Sequence, residues 1–289
     1  MFNPQSDTKE RSQEFNGFYR GVVVDNNDPT KSGRVTIRVF PMFRGVSDAA
    51  LPWAILADTG FGGSANTGSV NIPMIGSHVW LFFENGDHRF PVYFAGAPAI
   101  QNSSPDLPKT SREADPTIST VVSTQRKTGV AMASGGTWDE PTQSQATVYP
   151  NNHVWKTSKG LTIELDETDG AMRFHIFHPS GTRVEVDNTG NEIHHVQGDS
   201  YDIVVGNGKI YITGNADTTV DGNDGVKVGG NLSVVVGGNA DITVTGNSTI
   251  TATDVSVISS GATTVNSTGA VSVTSGASVT VSAPSISLN

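Results

Sequence analysis

Glycine recurs every eight residues in the C-terminal third of this 289-residue chain: Gly190, Gly198, Gly206, Gly214, Gly222, Gly230, Gly238 and Gly246. Asn follows each one, except Gly198, which is followed by Asp199. Val or Ile stands two residues before every glycine but the first, from Val196 to Val244. Such a period marks a fold built by repetition, in which each unit leans on its neighbours. The segment after Tyr211 contains no Phe, Trp or Tyr. It cannot form an ordinary core, so it is either disordered or a repetitive β structure. The fixed placing of Val and Ile favours β structure, because disorder needs no register.

Successive side chains of a strand point to opposite faces. The fourth residue after each glycine reads His194, Asp202, Ile210, Thr218, Val226, Val234, Ile242, Ile250, and the sixth reads Val196, Val204, Ile212, Val220, Val228, Val236, Val244, Ala252. These two positions share one face. The residue between them, as in His195, Tyr211, Thr219 and Lys227, faces away. Each octapeptide therefore offers one short strand with two inward side chains. Glycine permits the turn that follows, and Asn suits the same turn chemistry. Eight residues make one face and a corner, too little to enclose a core. Three identical chains winding about one axis solve this, with every strand paired above and below and open edges only at the ends. The predicted trimer core is Val196, Val204, Ile210, Ile212, Val220, Val226, Val228, Val234, Val236, Ile242 and Val244. About twelve such layers at about 4.8 Å give a needle of roughly 60 Å. After 252 the pairs Val255/Val257, Thr263/Val265, Val271/Val273 and Val279/Val281 keep the period, shifted in phase.

Upstream, residues 1–14 read as a flexible arm and residues 15–100 as a β domain. Tyr19–Asp25, Arg34–Phe40, Leu51–Leu56, His78–Phe83 and Phe90–Phe94 are five strand-like runs, with Asn85-Gly86 as a hairpin signal. The Gly-rich stretch 58–71 reads as a mobile loop. Five short strands without helical periodicity predict a small barrel of OB type. Residues 101–147, rich in Ser, Thr, Pro and Gln, read as an extended linker. Residues 148–189 return to alternating strands at Gly160–Asp166, Met172–Phe177 and Arg183–Asp187, a neck leading into the needle at 190–289. The fold class is all-β.

The net charge is −10 and no basic stripe appears, which argues against nucleic acid as a partner. Cys is absent, so there is no disulfide framework and no thiolate metal site. No cofactor, metal site or catalytic residue is expected. His175 and His178 read as solvated or partly packed. His194 holds an inward position where, with Asp202, three copies could meet around an ion; a hydrogen-bonded polar layer is the simpler expectation. Glu164, Asp166, Glu167 and Asp169 could be imagined as a glycosidase pair, but their place at a strand end and turn reads as solvated charge. Asp217, Asp221, Asp224 and Asp241 lack the fixed spacing of calcium repeats and read as surface charge.

FYRGVVVDNNDPTKSGRVTIRV and GSHVWLFFENGDHRFPVYFAG, together with the segment from Tyr149 to Asn191 and the V-x-G-N octapeptides, resemble the central spikes of contractile phage tails. They also resemble the related spikes of type VI secretion systems. The resemblance implies a trimeric structural device at the tail baseplate of a virion, seated through its OB domains on a trimeric hub protein. It further implies a needle driven transiently through the outer membrane, with a separate protein capping its tip. Some members carry a lysozyme domain after the OB fold; residues 101–147 are too short and too poor in core residues for one, so no enzyme is expected. The alternatives are a polysaccharide-degrading enzyme on a β-helix, a secretion spike carrying effectors, and an OB-fold nucleic-acid binder. The first needs clustered carboxylates or aromatics that 190–289 lack, and the last needs a basic aromatic groove.

Overall fold

The computed structural model describes residues 14–57, 60, 67–101 and 103–286. The expected N-terminal arm, apart from Glu14, and the centre of the loop 58–71 lie outside the described residues.

The first strands, β1 (Tyr19–Asp25), β2 (Val35–Val39), β3 (Trp53–Leu56), β4 (His78–Phe83) and β5 (Pro91–Gly96), close a barrel in the order β1-β2-β3-β5-β4. All pairs are antiparallel except β3 with β5, which run parallel. The period-two alternation of the sequence fills the barrel with Val23, Val35, Ile37, Val39, Val79, Leu81 and Phe83. Phe43 and Leu51 from the connections join that core. Tyr93 also points inward, and its hydroxyl donates to the Gly33 carbonyl at 2.6 Å. Burial pushes that phenol up to about 12. The predicted hairpin β4–β5 forms, but its connection is a seven-residue loop, 84–90. Asn85 and Gly86 take positive φ values of 52° and 71° within it.

The barrel needs glycine at Gly21. A Cβ there would overlap Cγ2 of Ile37 and stand 3.0 Å from the Arg38 carbonyl on the paired strand. Gly21→Ala is expected to destabilise the barrel by about 1–3 kcal/mol, as overpacking does, measured as a lowered urea midpoint at unchanged slope.

Short pairs β6 (Ile100–Gln101) with β7 (Ser104–Pro105), and β8 (Val130–Ala131) with β9 (Thr137–Trp138), flank α1 (Pro116–Gln125). The helix departs from the expected extended linker. Asp115 caps it by accepting from the Thr117 amide at 2.9 Å, and Pro116 occupies its first turn. Its weak apolar signal reflects how little it buries: Ile118 and Val122, packed on Phe177.

A second sheet follows as an antiparallel meander of β10 (Asn152–Lys156), β11 (Thr162–Asp166), β12 (Arg173–Phe177), β13 (Arg183–Val186) and β14 (Glu192–His195). Its last strand ends at His195, six residues into the predicted needle 190–289. Beyond it, residues 196–286 form no hydrogen-bonded strand in the single chain. They bend regularly, at 197–198, 205–206, 213–214 and onward to 245–246, always at the ladder glycine and the residue before it. The bends continue at 253, 260–261, 268–269, 276–277 and 284.

Candidate assembly interface

The second sheet is inverted relative to a self-sufficient domain. Its register sets Trp155 opposite Ile163, Ile163 opposite Ile176, Ile176 opposite Val184, and Val184 opposite His194. The neighbouring row runs Leu165, Phe174, Val186, Glu192. Both rows share one face, and that face is open: Trp155, Ile163, Leu165, Phe174 and Ile176 are 38–61% exposed. Contiguous exposed aliphatic surface on this scale marks an interaction face.

The opposite face carries Glu164, Asp166, Arg173, His175, Arg183, Glu185 and His195, all buried. Charges are rarely buried unless paired, and here they pair across the strands. Arg173 reaches Glu164 at 2.7 Å and Asp166 at 2.9 Å. Arg183 reaches Glu140 at 2.5 Å and Gln143 at 3.1 Å. The cover is the chain's own segment 140–147. From it Gln145 donates to Glu185 at 3.3 Å and the Thr147 hydroxyl to Asp166 at 2.7 Å. At the edge, Lys156 bonds the helix cap Asp115 at 2.5 Å. The segment 101–147 is therefore a strap that seals a charged layer, beyond the spacer role read from its composition.

Burial pushes the Glu164 carboxyl up, but His175 and Arg173 beside it outweigh that and hold it below the usual range. In Glu140 burial is likewise outweighed, by the Lys127 amide, Arg183 and His195. Glu185 goes the other way, raised by burial against weaker attraction from His175 and the arginines. A depressed carboxylate contributes stability that is complete at neutral pH and lost as pH falls through its folded value; a raised one does the reverse. Glu140 and Glu164 are both held low while Glu185 alone is raised, and through the two depressed groups the strap-and-sheet layer is expected to weaken on acidification below about pH 4. A falling urea midpoint between about pH 7 and pH 3 checks this.

These positions correct two expectations. Glu164 and Asp166 are buried strand residues held by one arginine, while only Glu167 and Asp169 are exposed turn charges. His175, expected to be solvated or partly packed, is wholly buried, and His178 on the opposite face is exposed and bonded to Ser180. Composition misleads because the sheet turns its charges toward the strap. His194 lies on the open apolar face, and His195, expected to face away from the core, is buried on the covered one. Among the described residues no group of three or more His, Cys, Asp or Glu could hold a metal ion.

Of the predicted trimer-core residues, Val204, Ile210, Ile212, Val220, Val226, Val228, Val234, Val236, Ile242 and Val244 are 46–92% exposed in the single chain, and Val196 is half-buried. Only Gly190 of the ladder takes a positive φ, 84°; at Gly198 through Gly246 a Cβ would meet nothing within 4 Å. The expected local need for glycine therefore arises at Gly190 alone. Thr219, one of the outward positions, donates its hydroxyl to the Ala131 carbonyl of the strap at 2.5 Å.

Residues 19–97 match the family described as the type VI secretion system and phage-baseplate injector OB domain, the same span that closes the barrel. Protein Gp5 of Vibrio phage KVP40 is 37% identical over 79 residues, 27% of this chain and 19% of that protein. The pre-baseplate central spike protein Gp5 of Enterobacteria phage T4 is 35% identical over 69 residues, 24% of this chain and 12% of that protein. The chain thus spans less than a fifth of the length of these curated relatives. The barrel is similar to the injector OB domain, and the resemblance to baseplate spikes is confined to it.

Proposed function

We propose, with an injector OB domain as the premise, that this chain is the structural central spike of a contractile tail baseplate and works as a homotrimer. The observation that carries this reading is the inverted sheet, which covers its charges with its own strap and leaves its aliphatic face to water. Three such faces, turned toward one axis, give one another the cover that a single chain does not supply. The octapeptides extend the same logic. Their predicted core residues from Val204 to Val244 stay 46–92% exposed in one chain, and three chains would bring them together as a narrow β-helix. The ladder glycines then meet a second chain rather than their own, which accounts for a residue preference that has no steric cause within one chain.

The barrel seats on a trimeric tail hub, the needle passes transiently through the outer membrane when the sheath contracts, and a small separate protein caps its end. Residues 190–247 form the shaft, and the nearly uncharged run to Asn289 leads. No catalysis is assigned to the strap, whose apolar packing amounts to Ile118 and Val122 against Phe177. Multi-angle light scattering and gel mobility in SDS without heating test the architecture. A mass three times that of the 30.3 kDa chain is expected; a stable monomer overturns it.

A further inference from the structure

The sealed layer between strap and sheet does not balance its charge with arginine alone. Four carboxylates, Glu140, Glu164, Asp166 and Glu185, are buried there with two guanidinium groups, Arg173 and Arg183. Two negative charges remain, and burying them uncompensated is costly. Two histidines lie in the same layer. His195 has its Nδ1 3.2 Å from Oε2 of Glu140. His175 is sandwiched in the row Val154, Glu164, His175, Glu185, Ile193. Its Nδ1 is 3.8 Å from Oε2 of Glu164 and its Nε2 3.8 Å from Oε2 of Glu185, and it is 0% exposed. Neither ring nitrogen has a hydrogen-bond partner, nor has Oε1 of Glu164.

A neutral imidazole has one donor nitrogen and one acceptor nitrogen. Set between two carboxylates, its acceptor would face another lone pair. The imidazolium presents N–H to both sides. Two protons, one on each histidine, would also bring the layer to neutrality. We propose that the layer is a proton-dependent latch: His175 and His195, both as imidazolium, hold the strap segment 140–147 on the sheet, and alkaline pH releases it.

The remaining charged groups do not alter the balance. Lys156 of β10 is paired with Asp115, and Arg126, partly exposed and 3.8 Å from Asp139, donates its Nε to the backbone carbonyl of Glu140 at 2.5 Å. The facing helix contributes Ile118 and Val122. Glu185 is the competing proton site, because a protonated Glu185 beside a neutral His175 would balance the charge equally well. A charged histidine contributes stability that is present while it holds its proton and is lost as pH rises through its folded value. The depressed Glu140 and Glu164 give the opposite loss in acid, so the latch is closed between the two limits.

The test uses the full chain labelled with 15N at its seven histidines. Ring-nitrogen NMR reads the protonation state, with His175→Gln and His195→Gln assigning the signals. Mass-spectrometric hydrogen exchange of residues 140–147, corrected for intrinsic base catalysis, reads strap release. Two rings doubly protonated at neutral pH under a protected strap are expected. Their titration should coincide with a rise in corrected strap exchange of about tenfold or more. A neutral His175 ring at neutral pH under a protected strap overturns the proposal and puts the proton on Glu185. Corrected exchange that stays flat while the two rings titrate overturns it too. Both readouts exist in the unsubstituted chain, so failure of a variant to fold leaves the outcome decidable.

Discussion

Val228→Asp combined with Val236→Asp is expected to abolish the SDS-resistant trimer while leaving the barrel folded. Both valines are about half exposed in the single chain, 46% and 50%. If the chain worked alone, two aspartates there would be tolerated as surface changes within about 0.5 kcal/mol. In a trimer with these side chains on the axis, six carboxylates would be buried in two adjacent layers without a partner. Each buried, unpaired charge costs several kcal/mol or forces its own protonation. Light scattering should report the loss of the threefold mass, and far-UV circular dichroism should retain the barrel's strand signal. An intact trimer in the double variant would place these valines off the axis. The paired control is Thr243→Asp with Thr251→Asp, at outward positions of the predicted register, where the trimer is expected to persist.

The second large effect is expected at Arg173. Its guanidinium serves two fully buried carboxylates, and it also contacts the Thr147 hydroxyl at 3.2 Å and the Ala146 carbonyl at 3.3 Å. Arg173→Ala leaves Glu164 and Asp166 facing each other without the cation. Removing one member of a buried ion pair costs about 3–5 kcal/mol, and the strap loses two of its anchors at the same time. Denaturant unfolding should show this loss, and cleavage within 140–147 should become fast in limited proteolysis. Adding Glu164→Gln and Asp166→Asn in the same chain is expected to restore part of the stability, since the penalty comes from the stranded charges. Wild-type stability in Arg173→Ala would mean that the layer is solvated.

The barrel was legible because its five runs are short, rich in β-branched and aromatic residues and separated by turn-rich stretches, with Arg34–Phe40 alternating at period two. The second sheet was legible as strands but not as faces. Thr162, Glu164 and Asp166 alternate with Ile163 and Leu165, and the ordinary assignment sends the aliphatics inward. The contrary signal was present in the pairing. Glu164 and Asp166, Arg173 and His175, and Arg183 and Glu185 each share a parity on consecutive strands, so that Asp166 falls opposite Arg173 and His175 between Glu164 and Glu185. Helix α1 was hidden by composition: Ser, Thr and Val dominate it, and only the Asp115-Pro116 start signal survives in the sequence. The octapeptide period was plain from the letters, and the regular bends at each ladder glycine carry it into the backbone. In the proposed trimer the other chains bring the valines together, so a single chain displays the repeat without its pairing.

The outward aliphatic face of the second sheet also bears on how such a chain is made. A subunit with its charges sealed away and Ile163, Leu165, Phe174 and Ile176 turned to water is adhesive from the moment the meander closes. For the proposed trimer the useful encounters are with two copies of itself, so their rate climbs steeply with local concentration, whereas off-target sticking needs only one stranger. Synthesis of many copies close together, as on a crowded message, shortens the interval in which the wrong encounter can occur.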